Sequence, residues 1–193
     1  MRSRLLCSVL LAMLCLPAHA GENILTPMIG FTSWSDDSDH TARGNSLAFK
    51  DSNELTLGFR YLYMFDNGVA LGGNFYIHDK DVTTTTQAND AGVLHIHGLV
   101  EYFFNPRGGI SPFIGGGIGV SSIGFDGGNL DGDGIAGASI ELNGGVIFKL
   151  SDLIGLQVEY KYTDFQMDES IDGFSANIDS SANSLLVGIT LHL

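Results

Sequence analysis

The stretch Gly155–Phe165, GLQVEYKYTDF, sets an apolar or aromatic side chain at every second position: Leu156, Val158, Tyr160 and Tyr162. Gln157, Glu159, Lys161 and Thr163 alternate with them. Successive side chains of a strand point to opposite faces, so this segment has one oily face and one ionic face. The alternation recurs over 23–34, 54–65, 69–78, 93–104, 111–123, 138–150, 155–165 and 183–193. Helical periodicity is nearly absent after residue 21, and the chain's 26 glycines disfavour helices.

The connections between these eight segments run long, short, long, short, long, short, long. Asp66-Asn67-Gly68 is a strong hairpin signal. Asn105–Gly109 and Ser151–Ile154 supply the other two short turns. An even strand count, with short turns at one end and long polar loops at the other, predicts an all-β fold: an eight-stranded antiparallel up-and-down transmembrane β-barrel. Each segment is close to the ~9–11 residues that cross a membrane at a tilt. Pairing the first segment with the eighth leaves no open edge in lipid.

Two registers fix which face meets hydrocarbon. Leu55, Leu57, Phe59, Tyr61 and Tyr63 share a face, as do Leu94, Ile96, Val100 and Tyr102; Ile140, Leu142, Val146 and Phe148; and Leu185, Val187, Ile189 and Leu191. This nearly uncharged set is assigned to lipid. The opposite set holds Arg60, His95, His97, Glu101, Glu141, Asn143, Lys149, Glu159 and Lys161. A Lys or Arg facing lipid at the midplane costs about 2–4 kcal/mol, which an inward orientation avoids. A soluble β-sandwich would reverse both faces. The aromatics favour the membrane reading: Phe65, Tyr102, Phe104 and Phe148 lie near the short-turn ends, and Trp34, Tyr160, Tyr162 and Phe165 toward the long-loop ends. Two such belts match two lipid–water interfaces.

The first 20 residues read as a signal peptide, with Arg2 and Arg4, the apolar run Leu5–Leu16 and an Ala-x-Ala site at Ala18–Ala20. Cleavage after Ala20 leaves 21–193 as the barrel domain and removes Cys7 and Cys15, the only cysteines. It also leaves seven basic residues against 22 acidic ones, a net of −15. That balance argues against nucleic acid as a partner.

The inward ionic residues Arg60, Glu101, Glu141, Lys149, Glu159 and Lys161 form a candidate lumen charge network. An eight-stranded barrel is just wide enough for side chains to fill, so a paired, solid interior is the plain expectation and a narrow solute path the sharper one. His95 and His97 lie two apart on the same face, a weak candidate metal pair that Glu101 would complete. Asn129, Asp131 and Asp133 have the spacing of a calcium loop, but the position for its bidentate Glu is Ile140. No cofactor is expected. The long connections carry fifteen acidic residues, among them Asp81, Asp90, Asp126 and Asp179, against Arg43, Lys50 and Lys80. Possible occupants of that acidic rim are divalent cations or a basic partner.

In Ser111–Val120, SPFIGGGIGV, and in Glu141–Phe165, ELNGGVIFKLSDLIGLQVEYKYTDF, the chain resembles the small outer-membrane β-barrels of the OmpA transmembrane-domain and OmpX type. The resemblance implies a Gram-negative outer membrane, lipid and lipopolysaccharide as surroundings, and insertion by the barrel assembly machinery. Members usually end in an aromatic residue, whereas this chain ends in Leu193. The implied role is non-enzymatic: membrane integrity and surface contact through the loops. The alternatives are an OmpW-like conduit for small apolar solutes and a lipid A-modifying enzyme.

Overall fold

The computed structural model describes residues 21–35, 40–42, 45–49, 53–84, 88–126, 134–171 and 174–193. The expected signal peptide, 1–20, and the Asn129–Asp133 loop lie outside the described residues.

The chain forms a closed antiparallel barrel. Its wall is built from β1 (Gly21–Ser35), β4 (Asn53–Phe65), β5 (Val69–Thr84), β6 (Ala88–Phe103), β7 (Ile110–Asp126), β8 (Gly134–Lys149), β9 (Ile154–Ile171) and β10 (Phe174–His192). Each strand pairs with the next of that set, and β1 closes the ring on β10 from Ile24↔His192 to Ser35↔Ser181. Two backbone bonds between Asn23 and Leu193, of 3.0 and 2.9 Å, finish the seam. A small hairpin, β2 (His40–Ala42) and β3 (Asn45–Phe49), carries the first two staves outward, with β2 on β10 and β3 on β5. The barrel thus has eight staves, two of them broken. Closure satisfies the backbone of every stave, as a hydrocarbon surrounding requires.

The first short turn shows how local sequence sets the register. Gly68 N–H donates to Phe65 O at 3.0 Å, and Gly68 has φ of 85°. A tight turn followed by a left-handed glycine is a common three-residue hairpin loop.

The oily set faces outward. Leu57, Ile96, Leu142 and Val158 are exposed, whereas Arg60, Glu159 and Lys161 are fully buried inside. The reversed orientation of a soluble sandwich is excluded by these positions. Phe65, Tyr102, Phe104 and Phe148 are also exposed, forming a belt at the short-turn end.

Two expectations need correction. Trp34 and Phe165 do not belong to an outer belt: they are buried in the lumen, with ring centroids 5.5 Å apart in an edge-on contact. Their parity explains this. Trp34 shares a face with Thr26, Met28 and Thr32, and Phe165 with Glu159 and Lys161, all inward. Height along the strand placed these rings correctly, but their face follows from register. The polar stretches 79–91 and 166–181 are also mostly strand, since β5–β6 and β9–β10 stay paired out to Thr83↔Ala88 and Phe174↔Ile171. Alternation records a contrast between two environments. Where both faces meet water the contrast vanishes, but the backbone ladder continues.

The glycines of β7 make room for the lumen contents. A Cβ on Gly115 would lie 2.5 Å from Glu101 Cγ and 2.8 Å from Asn143 Oδ1, and one on Gly119 would lie 2.8 Å from His97 Cδ2. Gly115→Ala is therefore expected to destabilise the barrel by about 1–3 kcal/mol, the usual effect of overpacking. Urea unfolding in lipid vesicles, followed by loss of the heat-modifiable gel band, measures it; an unchanged midpoint would contradict this packing.

Candidate functional site: the lumen

The barrel interior is stratified. At the short-turn end, which in outer-membrane barrels is the periplasmic end, Ile24, Leu62, Met64, Leu99, Phe103, Phe113 and Ile147 form a buried apolar cluster. Toward the outer end Val93, Ile123 and Ile135 are direct cross-strand neighbours, all buried, and Trp34, Phe165 and Met167 are buried as well. Between these layers lies a polar core.

Arg60, from β4, is its hub. Its Nη1 donates to Glu101 Oε1 at 2.9 Å and to Glu159 Oε2 at 2.7 Å, and its Nη2 donates to Gln157 Oε1. Its guanidinium carbon stands 4.9 Å over the Phe113 ring. Asn143 Nδ2 donates to Glu101 at 2.7 Å, and Gln157 Nε2 to Glu159 at 2.6 Å. Lys161 Nζ lies 3.2 Å from Glu141 and 3.5 Å from Glu159, with the Tyr76 ring centroid 4.1 Å away. Glu141 also accepts two bonds from Asn74 Nδ2, at 3.0 and 3.1 Å. These contacts join β4, β5, β6, β8 and β9 across the lumen. Charges this deep persist only when paired and hydrogen-bonded.

Five of the six ionic residues singled out from sequence thus meet in one network: Arg60, Glu101, Glu141, Glu159 and Lys161. Lys149 does not reach it. It sits at the periplasmic rim, 3.8 Å from Glu22 and donating to Pro106 O at 3.1 Å. It has inward parity but is the last residue of β8, so its side chain leaves through the mouth. Glu22 also meets His192 Nδ1 at 2.8 Å, beside the β1–β10 seam. Asn74 and Tyr76 are not singled out by the sequence, and Gln157, placed on the ionic face, is not assigned there to the network. Gln157 was legible from parity with Glu159; Tyr76 was not, because tyrosine suits either face.

His95 and His97 share a face with near-parallel rings, 6.1 Å between centroids. Their nitrogens are directed at different partners. His95 Nδ1 meets Ser121 Oγ at 2.5 Å, while His97 Nε2 meets Ser139 Oγ at 2.9 Å and its Nδ1 lies 3.1 Å from Glu141 Oε2. Glu101, proposed to complete a metal set, is instead bound to Arg60 and Asn143. Among the described residues no three His, Cys, Asp or Glu side chains converge on a metal position. His97 reaches Ser139 across β7 because its strand partner is Gly119. Ser139, His97 and Glu141 stand in the order of a nucleophile, base and orienting acid, but only Ser139 and His97 are hydrogen-bonded; His97 Nδ1 meets Glu141 at ion-pair distance without hydrogen-bond geometry. All three are buried, however, and Phe165 is the cross-strand partner of Ser139.

Truncating Arg60 leaves Glu101 without its cation and Glu159 with Lys161 alone. Arg60→Met is expected to cost about 3–5 kcal/mol, the range for breaking one side of a buried pair. Adding Glu101→Gln and Glu159→Gln is expected to restore part of that loss, because fewer unpaired charges remain buried. Unfolding in vesicles, followed by fluorescence of the chain's one tryptophan, Trp34, tests both; a triple variant less stable than Arg60→Met would refute the electrostatic account.

Solved structures share this architecture. Neisserial surface protein A aligns with a TM-score of 0.65 at 10% identity, over 88% of this chain and 96% of that one. Ail, the attachment invasion locus protein of Yersinia pestis, in complex with the heparin analogue sucrose octasulfate, aligns with 0.59 at 15%, over 91% and 100%. The outer membrane protein OprG from Pseudomonas aeruginosa aligns with 0.58 at 17%, over 90% and 96%. No curated protein matches the sequence. The family model described as outer membrane protein beta-barrel domain matches residues 6–191. The chain therefore belongs to the outer-membrane β-barrel family, as a multi-pass barrel of the Gram-negative outer membrane.

Proposed function

We propose that this barrel is a non-catalytic structural and surface-contact protein of the outer membrane, inserted by the barrel assembly machinery. The observation that carries this reading is the filled lumen: an ionic core with Arg60, Glu159 and Lys161 fully buried, between two apolar layers. Such an interior suits a rigid post better than a pore. Ser139 is buried beside its cross-strand partner Phe165, so its bond with His97 is read as lumen hydrogen bonding.

Purified protein in planar bilayers is expected to give no stepwise conductance, and proteoliposomes are expected not to take up small apolar solutes faster than empty vesicles. Solute-dependent uptake that survives in the wild type and rises on trimming Phe103 to alanine would favour the conduit instead.

The outer end supplies the contact surface. Asp81, Asp90 and Asp126 are direct cross-strand neighbours across β5, β6 and β7. Like charges at paired positions of a sheet are as a rule destabilising, and a rim of this acidic composition attracts cations. The polyanion bound to Ail makes an unsuitable partner for so acidic a rim. Cation-bridged lipopolysaccharide phosphate, or a basic protein, is complementary to it. Millimolar magnesium is expected to raise the thermal unfolding midpoint of the wild type, and Asp90→Asn to shrink that rise. An equal response in both proteins counts against a bridging role for this row.

A further inference from the structure

A trough opens on the outer wall, away from the acidic rim. It has a volume of about 640 Å³ and is bordered by Phe104, Ile114, Leu142, Tyr160 and Tyr162; Gly144 and Gly145 lie at its floor, where the inward-facing Phe113, Gly115 and Asn143 also line it. Gly144 is the cause. It occupies an outward position of β8, paired with Ile114 of β7 on one side and with Tyr160 of β9 on the other. Phe104, Ile114, Leu142 and Tyr160 stand exposed around the gap it leaves.

Lumen packing does not account for this glycine. A Cβ on Gly144 would meet only Phe113 O, at an ordinary 3.4 Å, unlike one on inward Gly115. The trough lies in the wall that faces hydrocarbon, so its occupant comes from the bilayer. Its lower end, beside a cationic turn, selects the leaflet. Gly144 lies five residues above Lys149, the periplasmic end of β8. At ~3.3 Å per residue and a tilt of ~40°, that is roughly 13 Å, about half of a ~25 Å apolar band. From there the trough descends to Phe104, beside the turn that carries Arg107. Arg107 is highly exposed, bound only to exposed Asp66 at 2.7 Å. Among the described side chains, the lysines and arginines outside the lumen network are Arg107 and Lys149, both at this rim.

We propose that the Gly144 trough is a binding site for one acyl chain of a phospholipid in the periplasmic leaflet, with the lipid phosphate at the level of Arg107. The glycine floor lets the chain lie against backbone, where it gains dispersion contacts on three sides that a smooth wall would not offer.

The test uses the full barrel reconstituted in phosphatidylethanolamine and phosphatidylglycerol bilayers containing a phospholipid with a photoactivatable group midway along its acyl chain. Adducts are mapped by mass spectrometry. They are expected to concentrate on Ile114, Leu142 and Tyr160 relative to Ile29 and Val187 on another part of the belt. Gly144→Leu, which fills the trough, is expected to reduce them several-fold. Gly92→Leu, at an outward glycine with open space around it, is expected to leave them unchanged. Heat-modifiable migration establishes that each variant is folded; should Gly144→Leu fail that check, Gly144→Ala takes its place. Adducts spread evenly around the belt, or undiminished in the folded variant, would overturn the proposal. So would protein–protein crosslinks through Ile114 or Tyr160 as the main product, since these assign the trough to a second copy. In a parallel arm the same probe on lipopolysaccharide acyl chains is expected to label this patch no more than the rest of the belt; preferential labelling there would overturn the leaflet assignment.

Discussion

A guanidinium sealed from water is the constraint from which much of this barrel follows. Arg60 is fully buried and bridges Glu101 on β6 and Glu159 on β9. Leaving such a charge unpaired is far more expensive than any single apolar contact is favourable. The lumen must therefore supply carboxylates at the right height on strands that the sequence keeps far apart. Two consequences are visible. Amides from Asn143 and Gln157 share the carboxylate oxygens that Arg60 holds, and Asn74 adds two bonds to Glu141. The neighbouring wall is thinned to glycine where Glu101 and His97 need space. A mixed network of this kind adds little to stability compared with a dry apolar filling. Its value is registry: Arg60 reaches both carboxylates only when β4, β6 and β9 are in their proper alignment.

The contrast between hydrocarbon and a polar interior makes the fold legible in sequence and the site only partly so. Each stave sits between two solvents of opposite character, so alternation labels every side chain as inward or outward with little ambiguity. Leu55 to Tyr63 and Leu185 to Leu191 were assigned by parity alone. Parity gives a face and not a neighbour. Which inward residues meet depends on the stagger between strands, set by hydrogen-bond register all the way around the ring. The chain of Ser139, His97 and Glu141 spans β6 and β8 over the bare backbone of Gly119. No local pattern announces that. Trp34 and Phe165 mark the converse error, where a residue-type preference for interfaces was allowed to outweigh a parity that pointed inward.

Glycine carries opposite meanings on the two faces of this wall. Inward, at Gly115 and Gly119, its absent side chain is occupied by another residue, so the glycine belongs to the packing. Outward, at Gly144, nothing from the protein fills the space. Sequence alone cannot separate the cases, because GGG and GG runs place adjacent glycines on both faces at once. The structure separates them by asking what a methyl group would touch.

A barrel with a filled lumen can meet its surroundings in only two ways, through its ends and through its wall. At the outer end the strands stay paired well beyond the alternating segments, so the acidic residues of β5, β6 and β7 ride on a continuous sheet with fixed spacing. At the periplasmic end Glu22, His192 and Lys149 gather beside the closing seam, with Arg107 on a nearby turn. Among the described side chains outside the lumen network, the two cations, Arg107 and Lys149, both lie at this end, each beside a carboxylate, Asp66 and Glu22. On the reading proposed above, the barrel is a post between a cation-bridged surface and a phospholipid leaflet. Its inner layers then have one task, to hold the two ends in a single rigid frame.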